Sequence, residues 1–147
     1  MSVSSTLVSR KRREAFLRKF FSIEEANRLV PMIRIELTAL QRIKREIDVK
    51  LRVLQQMRMD EHEDGSESDP FFRLECEIEF AQLEARTHMN NIINTGAELK
   101  DVDLGLVDFP AWKDGVEVLL CWRLGEEKIS YWHGRDSGFM GRMPIEE

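Results

Sequence analysis

The spacing of apolar residues changes once along this chain of 147 residues, and the change limits the folds open to it. In residues 22–59, and again in residues 70–95, apolar side chains recur every three or four positions, as they do along one face of an α-helix. From residue 98 onward they recur at every second position, as they do along a β-strand. The sequence therefore predicts an α+β fold, in which a long antiparallel helical hairpin precedes a small C-terminal antiparallel β-sheet.

Local signals set the predicted ends of both helices. Ser22 and Glu25 form a capping box, and the apolar stripe that follows predicts one helix that ends near Met59. Asp69 is the predicted N-cap of the second helix, which Gly96 ends. The first helix carries one main apolar stripe, made of Ala26, Val30, Ile33, Leu37, Leu40, Ile47, Leu51 and Leu54. The second carries two, made of Leu74, Ile78, Ala81, Ala85, His88 and Ile92, and of Phe72, Cys76, Phe80 and Leu83.

The chain length suggests one folded unit with a short extension before it. Residues 1–19 are rich in Ser, Arg and Lys, and we expect a flexible basic extension there. Residues 20–147 are predicted to form a single domain, with the hairpin in residues 22–95 and the sheet region in residues 98–144. The acidic segment 60–69 lacks the ligand spacing of a calcium loop, so we interpret it as a solvated turn between the helices.

Composition narrows the classes of function. The net charge of -5 argues against a general nucleic-acid-binding protein, so only the basic extension is expected to contact nucleic acid, and weakly. The two cysteines, Cys76 and Cys121, form no CxxC pattern and no disulfide framework, so a reducing, cytoplasmic setting is expected. No apolar run reaches the roughly 18 residues of a membrane helix, and no secretory leader is evident.

A β-hairpin is predicted in the C-terminal third. Residues 116–124 alternate in polarity, residues 125–128 form a turn, and residues 129–133 are the return strand. Residues 105–109 predict a further strand, which Pro110 is expected to end. The sheet is therefore expected to contain two or three strands.

The register of this hairpin decides which side chains meet. We favour the register that pairs Trp122 with Tyr131 and Leu120 with His133, because it gathers large apolar groups on one face of the sheet. A shift by one residue would instead place Cys121, Tyr131 and His133 together on one face.

Cys121 with His133 is the one Cys/His pair that could bind a metal, with Asp108 or Asp136 as further ligands. In the favoured register Cys121 and His133 point to opposite faces, and the chain has neither an HExxH nor a repeated CxxC motif, so neither a metal site nor a cofactor is predicted.

Six polar and aromatic residues near the C-terminus form the candidate ligand site. They are Asp108, Arg123, Trp132, His133, Asp136 and Arg142. The basic side chains can donate to a carboxylate or phosphate, the two carboxylates can orient them, and the tryptophan supplies a flat apolar wall. The same residues can instead form a structural polar network that holds the loop on the sheet. We expect Arg123, which lies between apolar neighbours, to be buried in such a network, and Arg142 to be exposed.

The C-terminal motifs also carry a family resemblance. Cys121-Trp122-Arg123, Trp132-His133, and Gly138-Phe139 followed by Gly141-Arg142 stand in an order that resembles the C-terminal signature of the bacterial family named domain of unknown function 2203. The resemblance extends over roughly residues 20–144 and includes the helical front half. It implies a shared architecture and a shared role for these motifs, and it brings no activity with it.

No enzymatic motif accompanies these residues. The sequence contains neither a glycine-rich phosphate loop nor a nucleophile elbow, so we do not expect an enzyme. Because Leu29, Ile43 and Met57 widen the stripe of the first helix beyond a two-helix seam and the second helix has two stripes, we expect a non-enzymatic binding or assembly module that self-associates through its helices as a coiled-coil-like homodimer. The alternative is a small-ligand or anion-binding protein, or an enzyme, with its site around Arg123, His133 and Arg142.

Overall fold

The computed structural model describes residues 19–60 and 69–146. These residues form two α-helices, α1 (Ile23–Met59) and α2 (Pro70–Ile93). They also form five strands, which are β1 (Glu98–Asp101), β2 (Leu106–Lys113), β3 (Val116–Arg123), β4 (Tyr131–His133) and β5 (Met143–Pro144). Apart from their boundary residues, the basic extension and the acidic segment of the sequence analysis lie outside the described residues.

The predicted ends of both helices are confirmed. The Glu25 backbone amide donates a hydrogen bond to Ser22 Oγ at 3.1 Å, and α1 then continues for 37 residues. Asp69 caps α2 by accepting a hydrogen bond from Phe71 N at 3.1 Å. Gly96 follows α2 with a φ of 97°, the left-handed conformation that ends many helices.

The two helices pack as an antiparallel hairpin. Lys50 Nζ lies 3.6 Å from Glu77 Oε2, and Glu36, earlier on α1, hydrogen bonds to His88, later on α2. His88 is therefore a half-buried histidine with a partner across the hairpin, as expected for a core position. Within the described residues neither helix has an apolar run long enough to cross a membrane.

The main core lies between the sheet and the N-terminal half of α1. Phe109 and Trp122 are fully buried there. The side chains of α1 that they share the core with are Ala26, Val30, Ile33, Leu37 and Leu40. Later along α1 a second, smaller cluster forms with α2 around Leu54. Because helix packs only on helix there, the covered seam is narrower, and Leu51 of the predicted stripe is 44% exposed.

The sheet is a five-stranded antiparallel meander in the order β1-β2-β3-β4-β5, which exceeds the two or three strands predicted. Strand β2 also continues through Pro110, which the sequence predicted as its end. The Pro110 carbonyl accepts from Phe21 N at 2.7 Å, on the side away from β3. Since the amide and carbonyl of a strand residue point to the same side, the N–H that proline lacks costs no hydrogen bond to β3.

The favoured register of the β3–β4 hairpin is wrong, and the alternative is observed. Leu119 pairs with His133, Leu120 with Trp132, and Cys121 with Tyr131. Residues 124–130 are a loop attached to α1 rather than a tight turn, so turn length does not set the register.

Three side chains hold this loop by hydrogen bonds. Asn27 Oδ1 accepts from Ile129 N at 2.8 Å, and Trp122 Nε1 donates to the Glu126 carbonyl at 3.0 Å. Arg34 Nη2 also lies 3.4 Å from the carbonyls of residues 126 and 127. The register is therefore fixed by long-range contacts to α1, which spacing within the hairpin does not reveal.

Two glycines have similar backbone conformations but different surroundings, and comparing them shows how closely the chain packs at the start of β2. Gly105 has a φ of 70° and Gly115 a φ of 78°. A Cβ at Gly105 would lie 2.6 Å from Leu124 Cβ, whereas one at Gly115 would meet no atom within 4 Å. We expect Gly115→Ala to lower the free energy of unfolding by about 1 kcal/mol through backbone strain alone.

Gly105→Ala should cost about 2–4 kcal/mol, because the added methyl group also displaces Leu124 or β2. Urea unfolding of both variants measures the difference. Equal losses would contradict the close approach of residues 105 and 124.

Candidate functional site

The outer face of the sheet, turned away from the helices, contains three buried residues that can carry chemistry. Asp108 on β2, Cys121 on β3 and His133 on β4 are 3%, 1% and 3% exposed. Asp108 pairs directly with Cys121 in the β2–β3 ladder, and His133 lies on the next strand. One carboxylate oxygen, the Sγ atom and one imidazole nitrogen all lie within 4.8 Å of one another. We call these three residues the buried cluster.

Two hydrogen bonds fix the orientation of the His133 ring. Nδ1 lies 2.8 Å from the carbonyl oxygen of Gly134, and Nε2 lies 3.1 Å from Asp108 Oδ2. A carbonyl oxygen can only accept, so Nδ1 carries a proton and donates it. Nε2 is therefore the nitrogen that faces the buried cluster.

Asp108 is incompletely satisfied. Its Oδ2 atom contacts His133, but Oδ1 is buried and has no hydrogen-bond partner among the described residues. Burial raises the pKa of the Asp108 carboxyl above its usual range, and the His133 imidazole opposes that rise. A buried carboxylate oxygen without a partner is costly, so it indicates strain or a missing ligand.

The Cys121 thiol is not activated. Burial, together with the neighbouring Asp108 carboxylate, raises the pKa of Cys121 to about 12. The thiol is therefore protonated at neutral pH and is a poor nucleophile.

Arg142 covers one side of the buried cluster. Its guanidinium carbon lies 4.0 Å from the centre of the Tyr131 ring and 4.4 Å from that of Phe139. Its Nη1 donates to Glu126 Oε1 at 3.1 Å, and the same oxygen accepts from Arg123 N at 2.7 Å. Arg142 is thus held by two aromatic rings and a carboxylate, which together position residues 139–142 over the sheet.

Arg135 holds the start of residues 135–142, which cover this face of the sheet and which we call the covering segment. Its guanidinium forms two hydrogen bonds with the Glu98 carboxylate, at 3.2 and 2.7 Å, and its Nε donates to Glu117 Oε1 at 2.8 Å. The hydrogen bond from Arg135 lowers the pKa of Glu98 to about 2. Between these attachments lies a cavity of about 190 Å³, which borders on the buried cluster as well as on Lys100 and Phe139.

The structure brings together only some of the six predicted site residues. Asp108 and His133 are in direct contact, and Arg142 lies beside them, close to Cys121. Asp136 is exposed on the covering segment. Trp132 lies on the opposite face of the sheet, where Lys113 Nζ is 5.2 Å from its ring centre.

The expected roles of the two arginines are reversed. Arg123 was predicted to be buried and Arg142 exposed, but Arg123 is exposed and the Arg142 side chain is only 19% exposed. Arg123 lies at the last position of β3, so its side chain emerges from the edge of the covered area. Arg142 follows the 3-10 turn Phe139–Gly141, which returns it to the sheet.

Sequence reasoning also missed three participants. Cys121 was considered with His133 as a metal ligand and rejected, because of the favoured register and the lack of a metal-binding motif; the alternative register predicts its place beside His133. Glu126 and Arg135 stood in segments interpreted as a turn and a loop, and no pattern in those segments indicates their ion pairs.

These features define an α+β protein whose helical hairpin covers one face of a sheet while its C-terminal segment encloses a small polar site on the other. The chain belongs to the family described as uncharacterized conserved protein (DUF2203), whose model matches residues 19–145. The predicted resemblance to that family is therefore confirmed. No curated protein and no solved structure matches the chain.

Substituting the two arginines separates their contributions. Arg142→Ala removes the side-chain partner of Glu126 and uncovers two aromatic rings, so we expect a loss of roughly 1–3 kcal/mol in the free energy of unfolding. Arg123→Ala removes an exposed side chain and should change it by less than about 0.5 kcal/mol. Thermal melts of both variants measure these effects, and a larger loss for Arg123→Ala would contradict the assignment.

The Glu98–Arg135 ion pair predicts a pH-dependent contribution to stability. The pKa of Glu98 falls from an ordinary 4.5 to about 2 on folding, so the contribution is complete above pH 4.5 and is lost as the pH falls towards 2. At pH 6 we expect Glu98→Gln to lower Tm by roughly 2–4 °C, which corresponds to about 1 kcal/mol.

The difference in Tm between the parent and Glu98→Gln should shrink as the pH approaches 2. Glu46→Gln is the matched control, since Glu46 pairs with Arg42 on the exposed surface of α1 and such pairs contribute little. A difference for Glu98→Gln that stays constant down to pH 2 would show that the Arg135 pair does not stabilise the fold.

Proposed function

We propose that this protein is a non-enzymatic binding or assembly module that self-associates through its helices as a homodimer. The observation that carries the proposal is an apolar stripe on the outer surface of α2. Phe72, Phe80 and Leu83 are 40%, 71% and 57% exposed, and Cys76 between them is also exposed. Steps of four, four and three residues place the four side chains on one side of α2.

This stripe, which we call the α2 outer stripe, lies opposite the side that packs on α1. The residues of α2 that are buried in the hairpin include Ile78 and Ala81, about half a turn away around the helix. Among the described residues, no other part of the chain buries the α2 outer stripe as fully as the core residues are buried. Exposed aromatic side chains in a row favour an interaction surface over a solvated helix face.

The charge pattern beside the stripe supports a second copy of the chain as the occupant. In an antiparallel pair of α2 helices related by a two-fold axis near residue 78, Phe72 would meet Leu83 of the partner subunit. Arg73 and Glu84 lie on the same flank of the stripe, so the same pairing sets Arg73 against Glu84 of the partner subunit, twice per dimer. Neither residue forms an ion pair with another described residue. The resulting dimer would be a four-helix arrangement with a coiled-coil-like seam.

The buried cluster supports a binding role over a catalytic one. The Cys121 thiol is protonated at neutral pH, and both nitrogens of His133 are hydrogen bonded within the protein. Neither group is then available as a nucleophile or a general base. The alternative anion site around Arg123, His133 and Arg142 is less well supported, because the exposed Arg123 side chain lies over the Phe139 ring and Arg142 already binds Glu126.

The state of the cysteines supports the cytoplasm as the setting. Cys76 and Cys121 are both free thiols, and Cys76 is exposed. A reducing compartment keeps such a thiol unoxidised.

The homodimer predicts a defined mass and a defined sensitivity to substitution. Light scattering at micromolar concentration should give twice the chain mass of 17.3 kDa. Phe80→Asp should give the mass of one chain, because a charge would enter the α2 outer stripe, while leaving Tm measured at low protein concentration nearly unchanged. Ile35→Asp is the matched control, since Ile35 is 70% exposed on α1 outside this stripe, and it should remain dimeric.

Charge reversal tests the antiparallel pairing itself. Arg73→Glu alone and Glu84→Arg alone should each weaken the dimer by about 1 kcal/mol or less per contact, and the double variant should restore it. A single-chain mass for the unaltered protein across the micromolar range would reject self-association. A dimer that is indifferent to Phe80→Asp would place the interface elsewhere.

A further inference from the structure

We propose that Asp108, Cys121 and His133 bind one divalent transition-metal ion of the zinc class on the outer face of the sheet. The three residues come from adjacent strands β2, β3 and β4, so the framework of the sheet holds them rather than a loop. All three are at least nine-tenths buried. Together they form the one group of ligand-type residues in the described chain with this convergence.

The donor set matches the preferences of zinc. Zinc is bound by cysteine sulfur, histidine nitrogen and carboxylate oxygen, and a site with three protein ligands leaves the fourth position open. With the thiol ionised on metal binding, the cluster supplies two negative charges to a divalent cation. The cations beside the cluster or its cavity have acidic partners, which limits their repulsion of a metal ion: Arg142 pairs with Glu126, and Lys100 and Arg135 pair with Glu98.

The hydrogen bonds of His133 are those of a metal-binding histidine. Such residues commonly donate their second ring N–H to a carboxylate or a backbone carbonyl, which fixes the tautomer and directs the other nitrogen at the ion. His133 Nδ1 does this with the Gly134 carbonyl at 2.8 Å, and Nε2 faces Asp108 and Cys121. The hydrogen bond that orients a metal-binding histidine is therefore already present.

Asp108 provides the second, independent indication. Its Oδ1 atom is buried and has no hydrogen-bond partner among the described residues. The side chain as a whole is 4% exposed. Cation coordination is a way to satisfy such an oxygen in a buried setting. His133 and the Cys121 thiol are the hydrogen-bonding neighbours of the Asp108 carboxylate, and both belong to the proposed ligand set.

Modest movement would complete the geometry. Ligand atoms about a tetrahedral zinc ion are roughly 3.3–3.8 Å apart, given bond lengths of about 2.0–2.3 Å. The three atoms now lie within 4.8 Å of one another, and Asp108 Oδ2 is 3.1 Å from His133 Nε2. Shortening the longest of these distances by roughly 1 Å would enclose an ion. The adjoining cavity of about 190 Å³ gives room for water or a small ligand in the fourth position.

The test uses Co²⁺, which reports its ligands through its absorption spectrum. The purified protein, treated with chelator and desalted, is titrated with CoCl₂. We expect one equivalent of Co²⁺ per chain, visible bands of a four-coordinate ion, and a near-ultraviolet band from sulfur-to-cobalt charge transfer. ZnCl₂ should abolish these bands by displacing Co²⁺ and should raise Tm, because zinc binds such sites more tightly and binds only the folded state.

Matched variants assign the ligands. Cys121→Ser should lose the sulfur band and bind at least about ten-fold more weakly, while Cys76→Ser, which alters the exposed cysteine, should keep both properties. Asp108→Asn should weaken binding and keep the sulfur band.

Three outcomes would overturn the proposal. The first is an unaltered protein that binds neither ion, and the second is a sulfur band that survives Cys121→Ser. The third is retained Co²⁺ without a sulfur band, which would place the ion on other residues. Because binding is measured first on the unaltered protein, a variant that fails to fold does not prevent a decision.

Discussion

Helices cover only the inner face of the antiparallel sheet, so the outer face depends on the chain's own C-terminal segment for its cover. Leu119 and Cys121 on that outer face are each 1% exposed, which a solvated sheet face would not allow. The covering segment is short and largely polar, so it buries little apolar area against the sheet. Ion pairs hold it in place instead. Arg135 attaches its start to β1 and β3, and Arg142 attaches its end to Glu126. The polar character of the site follows from this way of covering the sheet.

The β3–β4 loop links the inner and outer faces. Its contacts with Asn27 and Arg34 on α1 fix where β4 begins, and so they fix the hairpin register. That register sends Trp132 to the inner face and His133 to the outer face, beside Cys121. A shift by one residue would exchange these two side chains and remove the buried cluster. The site on one face of the sheet therefore depends on packing against a helix on the other.

This dependence explains what the sequence could predict. The helix ends follow from neighbours within three or four residues, as at Ser22 and Asp69, so local patterns were enough to predict them. The register, the course of β2 through Pro110 and the short strand β1 depend on residues far away in the chain. Alternation predicted that β3 exists, but it could not reveal which residue of β4 lies opposite Cys121.

The residues of the candidate site likewise fall into those that the sequence could predict and those that depend on contacts far away in the chain. Asp108, His133 and Arg142 were identifiable by residue type, because a carboxylate, an imidazole and a guanidinium can each bind or orient a ligand. Their partners were not, since Glu126 and Arg135 resemble ordinary surface residues until the C-terminal segment returns to the sheet. Arg123 was predicted to be buried because its neighbours in sequence are apolar. It is exposed because it lies at the end of β3, beyond the part of the sheet that the covering segment covers.

The energetic cost of the buried cluster bears on why the chain contains it. An unsatisfied buried polar group costs about 1–3 kcal/mol, which is a sizeable share of the stability of a domain. The neighbouring outer-face positions Leu106 and Leu119 are apolar and buried, so the surroundings suit an apolar side chain at residue 108 as well. Without a cation, the Asp108 carboxylate relies on the His133 imidazole and the Cys121 thiol to offset that cost. A cation held by Asp108, Cys121 and His133 would offset that cost and would give the enclosed polar site a ligand of matching charge.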